Sequence, residues 1–386
     1  MVTLYDVAKR AGVSIATVSR VLHGQDGVRG STRARVRAAI EELGYVPDGA
    51  AQSLARNRKD IVGLVYVARD DVRSGRHDLE SVSLLFRDEV MRGVESRLRD
   101  RRWSLLVTYL GEEETLGTVP DGDAPVMPRL LALSGKVDGL LIGEGAVSGE
   151  HLAALAGRLP VVLIAGDPEQ RCADVVSADN WSGTYALVEH LVTVHGRRRL
   201  FLVDGPATAP DAKVRRRAME AVIAAHPGTA LAGTSSGRFS ASSGEQAAGR
   251  ALAAARAAGV LPDAIVCAND QMAIGVLRRL AADGVRVPRD MAVVGFDDIF
   301  SAALCDPPLT TVRQPMRRIG ERACERLIER IADPSLPPQA ELLPAELVLR
   351  SSCGCPHARL PDGVQCRADD AVGVDAVVAV HVLQVA

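Results

Sequence analysis

Beyond residue 60, short continuous apolar runs alternate with longer stretches of helical periodicity, and this alternation restricts the fold more than any other feature. Runs rich in Val, Ile and Leu are typical of parallel strands that are buried on both faces. Parallel strands need helical crossovers between them, so we predict a doubly wound α/β domain. The predicted strands are 61–67, 105–108, 137–142, 161–165, 200–203, 265–268 and 292–296. The predicted helices include 88–100, 183–195 and 246–258.

The segment 60–356 is longer than one compact sheet usually organises, so we expect two similar lobes with a cleft between them. In folds of this kind, ligands bind beyond the carboxyl ends of the parallel strands. The sequence therefore predicts a small-molecule site at that edge of the sheets.

The N-terminal segment 1–46 has the pattern of short helices instead. Thr3 and Asp6 resemble a capping box, with Asp in place of the usual Glu, and Gly12 ends the helix that they start. Ser14 can cap a second helix, whose inner face repeats at helical spacing in Val18, Val21 and Leu22. Two short helices joined by a tight glycine turn predict a helix-turn-helix.

A third helix follows. Ser31 or Thr32 is expected to cap it, and Gly44 to end it. Its expected buried stripe is Val36, Ile40 and Leu43. The sequence thus predicts a small all-α head before the α/β domain.

Charge separates these two parts of the chain. Residues 1–60 hold ten Lys and Arg and six Asp and Glu, a net charge of +4, whereas the whole chain carries −2. A basic head on an acidic body favours a module that binds a polyanion such as DNA. A chance asymmetry of the surface is the alternative.

The residues expected on the outer face of the second helix suit DNA. Arg20 can present two donors to a guanine edge, and Ile15 and Ala16 can contact thymine methyl groups. The alternative is a plain three-helix scaffold with a solvated polar face. Hydroxyl groups close to the helix N-terminus can bind phosphates, namely those of Ser14, Thr17 and Ser19.

Segments 3–8, 11–14, 17–22 and 42–47 together resemble the lactose-repressor family of bacterial transcriptional regulators. The resemblance implies that the second helix reads double-stranded DNA, centred on Ile15, Ala16 and Arg20, and it adds Tyr5 and His23 to the DNA-binding residues. It also implies repression of an operator by a homodimer, under the control of a small-molecule effector.

The same resemblance places a hinge helix in the linker 47–59. Ala51 would let two such helices pack closely in the dimer, and Leu54 would enter the minor groove and kink the duplex. An ordinary linker helix is the alternative. His23 and Asp48 stand where the family usually has Asn, and the negative charge of Asp48 near phosphates would weaken binding.

The resemblance continues through 268–275, 293–298, 308–312 and 351–356, and it implies a two-lobed, periplasmic-binding-protein-like sensor domain over 60–356. It carries the effector-binding positions to Phe86, Arg215, Phe239, Asn269 and Asp297, although neighbouring arginines leave the register of Arg215 open by one. An aromatic face, a bidentate guanidinium and carboxylates that accept hydroxyls suit a sugar or its derivative. The alternatives are structural roles, as turn or cap residues for Asn269 and Asp297 and as core residues for Phe86 and Phe239.

Motifs of catalysis are missing from the sequence. It has no Gly-x-Gly-x-x-Gly after a strand, no phosphate loop and no His-x-x-x-His. We therefore expect no enzyme and no catalytic residue. Two rivals are a transport-type solute-binding protein, which would have a signal peptide and no DNA head, and a sugar-modifying enzyme with a fused head.

Seven cysteines in 386 residues do not indicate a disulfide framework, and neither a signal peptide nor a membrane-spanning run is recognised, so we expect a cytoplasmic protein. A tail, 357–386, has no sustained heptad repeat, so a dimer is expected and no tetramer. No metal and no other cofactor are predicted, because four candidate zinc ligands have non-standard spacing: Cys353, Cys355, His357 and Cys366.

Overall fold

The computed structural model describes residues 2–22, 26–45, 58–68, 83–111, 126–143, 145–147, 149–169 and 171–356. The chain divides into two compact units, Met1–Asp60 and Ile61–Ala386. The predicted hinge helix and the predicted tail lie almost wholly outside the described residues, and the expected domain boundaries remain predictions.

The first unit is an all-α head, as predicted. The Thr3 N–H donates to Asp6 Oδ2 at 2.8 Å and the Asp6 N–H donates to Thr3 Oγ1 at 3.4 Å, so the expected capping box is formed. Gly12 ends the first helix in the left-handed region with φ 64°. The helices are α1 (Leu4–Ala11), α2 (Ile15–Leu22) and α3 (Gly30–Leu43). They bury Val7, Ala8, Ala11, Val18, Val21, Val36 and Ala39.

The start of α3 differs from the prediction. Its N-cap is Arg29, which makes no side-chain capping bond, and the Arg33 N–H donates to the Arg29 carbonyl at 3.0 Å. Ser31 and Thr32 therefore lie inside the first turn of α3 and do not cap it. Helical periodicity did not reveal this earlier start, because Gly30 is a poor helix former and has no side chain to mark a face.

The second unit contains two parallel sheets with helices around them, as predicted. The first sheet is entirely parallel and has the spatial order β11-β5-β4-β3-β1-β2. Its strands are β1 (Ile61–Ala68), β2 (Ser104–Gly111), β3 (Gly139–Gly143), β4 (Val161–Ile164), β5 (Asp174–Ala178) and β11 (Ala340–Leu343). The helices that belong with it are α4 (Ser83–Arg99), α5 (Val126–Ser134), α6 (Gly149–Ala156) and α12 (Met316–Ala332).

The second sheet is also parallel, with the order β7-β6-β8-β9. Its strands are β6 (Arg199–Asp204), β7 (Ala230–Ser236), β8 (Ala264–Cys267) and β9 (Ala292–Val294). Its helices are α7 (Asn180–Thr193), α8 (Pro210–Ala225), α9 (Ala241–Ala258), α10 (Asp270–Ala282) and α11 (Phe300–Leu304). A separate antiparallel ribbon pairs β10 (Thr311–Arg313) with β12 (Glu346–Val348).

Each strand and helix predicted beyond residue 60 has a counterpart, with ends displaced by a few residues. Among the described residues, the chain passes between the two sheets after β5, after β9 and after β11. These crossings bring residues distant in sequence to the carboxyl ends of the strands, where the candidate effector residues were predicted.

Candidate functional sites

The outer face of α2 presents the side chains that the sequence assigned to DNA. Ile15 is 46% exposed, and Tyr5, in α1, is 64% exposed, which are large fractions for apolar and aromatic side chains. Ser14, Ala16 and Arg20 are exposed, while Thr17 and Ser19 are half-buried. The head thus offers an apolar and basic surface along the outer face of α2.

Ser14 also has a structural task. Its hydroxyl accepts the Thr17 N–H at 3.2 Å and lies 2.9 Å from the Thr17 hydroxyl, so it caps α2 as predicted. A phosphate contact by Ser14 would share this hydroxyl with the helix cap. The predicted DNA-binding residues His23, Ala51 and Leu54 lie outside the described residues.

Arg215 lies buried in α8, close to the carboxyl end of β8. Its Nε donates to Asn180 Oδ1 at 2.9 Å, and its Nη1 donates to the Ala268 carbonyl at 2.5 Å. Its Nη2 pairs with Asp211 Oδ2 at 3.1 Å, one helical turn away. The guanidinium also stacks 3.7 Å from the centre of the Phe296 ring. Protein groups therefore already surround this cation.

Asp297 follows β9 and joins the same cluster. Its Oδ1 lies 3.9 Å from Arg215 Nη1 and accepts from Gln314 Nε2 at 2.6 Å. Burial raises the pKa of Asp297, and the nearby Arg215 charge works in the opposite direction. Its φ of 126° is a strained conformation for a residue with a side chain. This backbone conformation places the carboxyl group beside Arg215 and Gln314.

Asn269 and Phe239 are joined directly. Asn269 is the N-cap of α10, where its Oδ1 accepts the Met272 N–H at 3.0 Å, and its Nδ2 donates to the Phe239 carbonyl at 3.3 Å. The Phe239 ring is buried, and a Cβ on Gly205 would lie 2.6 Å from it. Asn269 is thus a helix cap and Phe239 a core residue, which are the structural alternatives given for them above. Both lie at the same strand ends as Arg215.

Phe86 lies in α4, half-buried, and packs against the largest apolar core cluster. The neighbouring arginines differ clearly from Arg215: Arg216 pairs with Asp204 at 2.5 Å, and Arg217 is 57% exposed. Only Arg215 in this run reaches the cluster with Asp297. Its burial therefore supports the register chosen from the sequence.

A cavity of about 10 Å³ lies beside the Arg215 guanidinium and is also lined by Thr184, Asp204 and Phe296. This is room for about one water molecule.

Several polar residues of this region were not predicted. Asn180 and Asp211 both bond Arg215, and the spacing of Asp211 four residues before Arg215 was an available signal. Asp270 is fully buried, and its carboxylate accepts the Thr311 hydroxyl at 2.5 Å and the Ile299 N–H at 3.0 Å. Burial raises the pKa of Asp270 to about 7.

Asp298 forms a second buried ion pair, with Arg350 at 2.7 Å, and also pairs with Arg313 at 2.7 Å. Arg350 in addition donates to the Leu309 carbonyl at 2.9 Å. The two adjacent carboxylates therefore serve different partners, since Asp297 faces Arg215.

Within the described residues, none of the helices combines the length and the apolar character needed to cross a membrane.

Comparison with family models gives two matches. Residues 3–48 match the model described as bacterial regulatory proteins, lacI family, and residues 188–353 match the periplasmic binding protein-like domain. The first match covers the head, and the second covers the α7–β12 region that holds Arg215 and Asp297.

Whole-chain relatives agree with both matches. The chain is 31% identical over 361 residues to the HTH-type transcriptional repressor PurR of Aliivibrio fischeri (strain ATCC 700601 / ES114), covering 91% of this chain and 98% of the relative. It is 30% identical over 359 residues to the lactose operon repressor of Escherichia coli (strain K12), covering 93% and 92%. These relatives are named as repressors and not as enzymes.

Solved structures are similar over the same length. The lac repressor dimer bound to operator and the anti-inducer ONPF has a TM-score of 0.77 at 28% identity, covering 91% of this chain and 99% of that chain. The complex of the transcriptional regulator CelR with cellobiose has a TM-score of 0.62 at 30% identity, covering 91% and 100%.

Proposed function

The chain belongs to the lacI family of bacterial regulatory proteins and is a DNA-binding transcriptional repressor, and from this premise we propose that a polyhydroxylated small molecule controls it. The effector, a sugar or sugar derivative, binds between the two lobes at Arg215, Asp297, Asn269 and Phe239. The observation that carries this proposal is the buried Arg215 cluster at the carboxyl ends of the strands.

The chemistry of the cluster favours hydroxyl groups. Arg215 offers several donors in one plane, and Asp297 and Asp211 offer acceptors on either side of it. A sugar hydroxyl can both donate and accept, so it can replace protein partners on both kinds of group. Phe86 and Phe239 supply apolar faces of the kind on which a sugar ring stacks.

The position of the cluster links the ligand to the lobes. Asn180 begins α7 directly after the crossing from β5, and Gln314 precedes α12, which belongs with the first sheet. A ligand that takes these partners from Arg215 and Asp297 changes contacts at two crossings. It thereby favours a different angle between the lobes.

On the DNA side, we propose that the repressor acts as a homodimer on a near-palindromic operator in the cytoplasm, with one head on each half-site. Arg20, Ile15 and Ala16 read bases, supported by Tyr5, Ser14, Thr17, Ser19 and His23. The linker 47–59 forms the hinge helix, in which Ala51 packs against its partner and Leu54 enters the minor groove.

Thermal unfolding of the full-length protein tests the effector proposal, with a panel of sugars, sugar phosphates and nucleobases. A ligand at about 100 times its dissociation constant stabilises the folded protein by roughly 2.7 kcal/mol. Arg215→Lys should abolish the shift, because Lys cannot make the planar, bidentate contacts. The matched Arg217→Lys change on the same helix should leave it intact.

A hit among the sugars supports the proposed class, and a hit among the nucleobases would replace it with an aromatic effector. An equal shift in Arg215→Lys and wild type would remove Arg215 from the site. Sedimentation equilibrium at micromolar concentration tests the dimer, and a monomer mass there would contradict it.

A further inference from the structure

Four side chains with metal-ligating atoms meet at the end of α7. His190 lies in the last turn of α7 and His195 directly after it. Cys353 and Cys355 come from the end of the described chain, about 160 residues later. The four ligand atoms all lie within 4.8 Å of one another.

The measured separations fit a tetrahedral ion. His190 Nε2 and His195 Nε2 are 3.1 Å apart, and Cys355 Sγ lies 3.4 Å from each of them. Cys353 Sγ lies 3.7 Å from His190 Nε2. With Zn–N bonds of about 2.05 Å and Zn–S bonds of about 2.3 Å, a tetrahedron has edges of roughly 3.3 Å between nitrogens and 3.6 Å between nitrogen and sulfur. The four atoms thus already stand near the corners of a zinc tetrahedron.

The backbone between the two cysteines is shaped for this convergence. Gly354 has φ 115°, and a Cβ at that position would lie 3.1 Å from His195 Nδ1 and 3.2 Å from His195 Cε1. Any side chain there would press on the imidazole ring. Glycine therefore lets the Cys-Gly-Cys turn close over His195, with the Cys355 sulfur 3.4 Å from His195 Nε2.

Cys353 is anchored by its surroundings. It is fully buried, and the Thr310 hydroxyl lies 3.1 Å from its sulfur, where it can donate to a thiolate. The Ser352 hydroxyl accepts the Thr310 N–H at 2.8 Å and donates to the Val293 carbonyl at 2.6 Å. Such outer contacts orient a ligand and hold its lone pairs toward the metal.

We propose that His190, His195, Cys353 and Cys355 form a structural zinc site that fastens the segment 351–356 to the end of α7. Two thiolates and two neutral imidazoles balance the charge of Zn²⁺, which suits a partly buried position. All four corners of the tetrahedron are filled by protein, so the ion has no open position for a substrate. The site is therefore structural and not catalytic.

Only half of this set was a candidate in the sequence. Cys353 and Cys355 were grouped there with His357 and Cys366, which lie outside the described residues. The two histidines escaped notice because they precede the cysteines by about 160 residues and only the fold brings them together. Their His-x-x-x-x-His spacing is also one residue longer than that of a His-x-x-x-His zinc pair.

The experiment uses the full-length protein, reduced and freed of metal by dialysis against a chelator. Zn²⁺ is titrated in competition with a chromophoric indicator, and Co²⁺ is used as a spectroscopic probe. We expect one tightly bound ion per chain, a thiolate-to-cobalt charge-transfer band, strong tetrahedral d–d bands and a higher Tm with Zn²⁺.

Cys355→Ser and His195→Gln should each weaken Zn²⁺ binding by more than about 10-fold, because each removes one ligand. The matched changes Cys366→Ser and His357→Gln, together with Cys172→Ser in the first sheet's lobe, should leave affinity and spectrum unchanged. Circular dichroism identifies any variant that has failed to fold. If one of the two ligand variants is unfolded, the Zn²⁺ affinity of the other one tests the proposal.

Absence of the cobalt charge-transfer band in reduced wild type would overturn the proposal. So would unchanged binding in both ligand variants, or a loss confined to Cys366→Ser and His357→Gln. A titration that finds Cys353 and Cys355 disulfide-bonded in protein purified under reducing conditions would also overturn it.

Discussion

At the scale of single residues, Arg215 shows how a buried charge can serve a switch. Every side of its guanidinium has a protein partner: Asn180, Ala268, Asp211 and the Phe296 ring. An unpaired buried charge costs about 3–5 kcal/mol, so a ligand that approaches Arg215 must exchange partners without leaving it bare. The exchange alters the contact with Asn180, which begins α7 just after the crossing from β5. Arg215 therefore suits coupling of ligand binding to lobe movement.

Arg20 offers the cleanest residue-scale prediction, because it is exposed in α2. Arg20→Ala should cost about 1–3 kcal/mol of operator affinity and relax specificity at one base pair. The free energy of unfolding should change by less than about 0.5 kcal/mol, since the side chain lies on the surface. Binding to an operator and its single-base variants, followed by fluorescence anisotropy, measures the first effect, and urea unfolding measures the second.

Arg10→Ala is the matched control, because Arg10 is also exposed but pairs with Glu42 at 2.6 Å on another face of the head. It should not relax specificity at any base pair. If Arg20→Ala weakens all operator variants equally, Arg20 contacts phosphate and the base-reading role is wrong.

The residue scale also shows what a sequence can reveal. The capping pair Thr3–Asp6 and the cap at Ser14 were predicted because their partners lie three residues away. The bond from Arg215 to Asn180 spans 35 residues, and no local pattern records it. The resemblance supplied Arg215 and Asp297 as positions, but their partners had to come from the fold.

At the scale of elements, an uninterrupted apolar run decided which strands could be predicted. β3 is apolar throughout and all five of its residues are buried, whereas β5 is equally buried but carries Asp174 and Ser177 and was not predicted. β7 leaves most of its residues at least partly exposed and β11 none buried, while β10 and β12 have three residues each. Such short or polar strands give no apolar run. β7 and β11 are edge strands, which pair through the backbone on one side only.

The crossing of α4 and α12 depends on glycine. A Cβ on Gly320 would lie 2.0 Å from the Val90 carbonyl oxygen, and a Cβ on Gly93 would lie 2.1 Å from that of Arg317. Backbone cannot move aside as a side-chain tip can, so the helices would have to separate. We therefore expect Gly320→Ala to lower the free energy of unfolding by about 1–3 kcal/mol, as overpacking typically does.

Gly249→Ala in α9 is the matched control for that substitution. Its nearest neighbour would be the flexible Arg279 Nη1 at 3.1 Å, which can yield. Alanine there should stabilise by roughly 0.5–1 kcal/mol through helix propensity. Urea unfolding of both variants measures the contrast, and equal effects of the two changes would show that the α4–α12 contact does not depend on glycine.

At the scale of the whole molecule, the amino-acid pattern was enough to predict the division into an α-helical head and a parallel α/β domain. It did not predict the residue pairs that link the crossing segments, because those contacts form only when segments distant in sequence meet. The ribbon of β10 and β12 and the pairs of Asp298 with Arg313 and Arg350 all belong to this class. A change in the angle between the lobes would alter polar contacts of this kind.

The proposed coupling of effector and operator makes a prediction about the complete protein. If the effector changes operator affinity by some factor, operator DNA must change effector affinity by the same factor. Factors of about 5–150 are typical of such coupling. Isothermal titration of the effector into free protein and into the operator complex, paired with operator binding with and without effector, measures both sides. We expect the change in operator affinity and the change in effector affinity to be equal and clearly different from one.

Arg20→Ala provides the control for this reciprocity. At DNA concentrations where this variant no longer binds the operator, its effector affinity should be the same with and without DNA, and equal to that of free wild type. The variant should still show the thermal shift with effector, because Arg215 is untouched. Two unequal factors in wild type would mean that operator and effector report on different equilibria. If neither affinity changes, so that both factors equal one, the ligand bound at Arg215 does not control DNA binding.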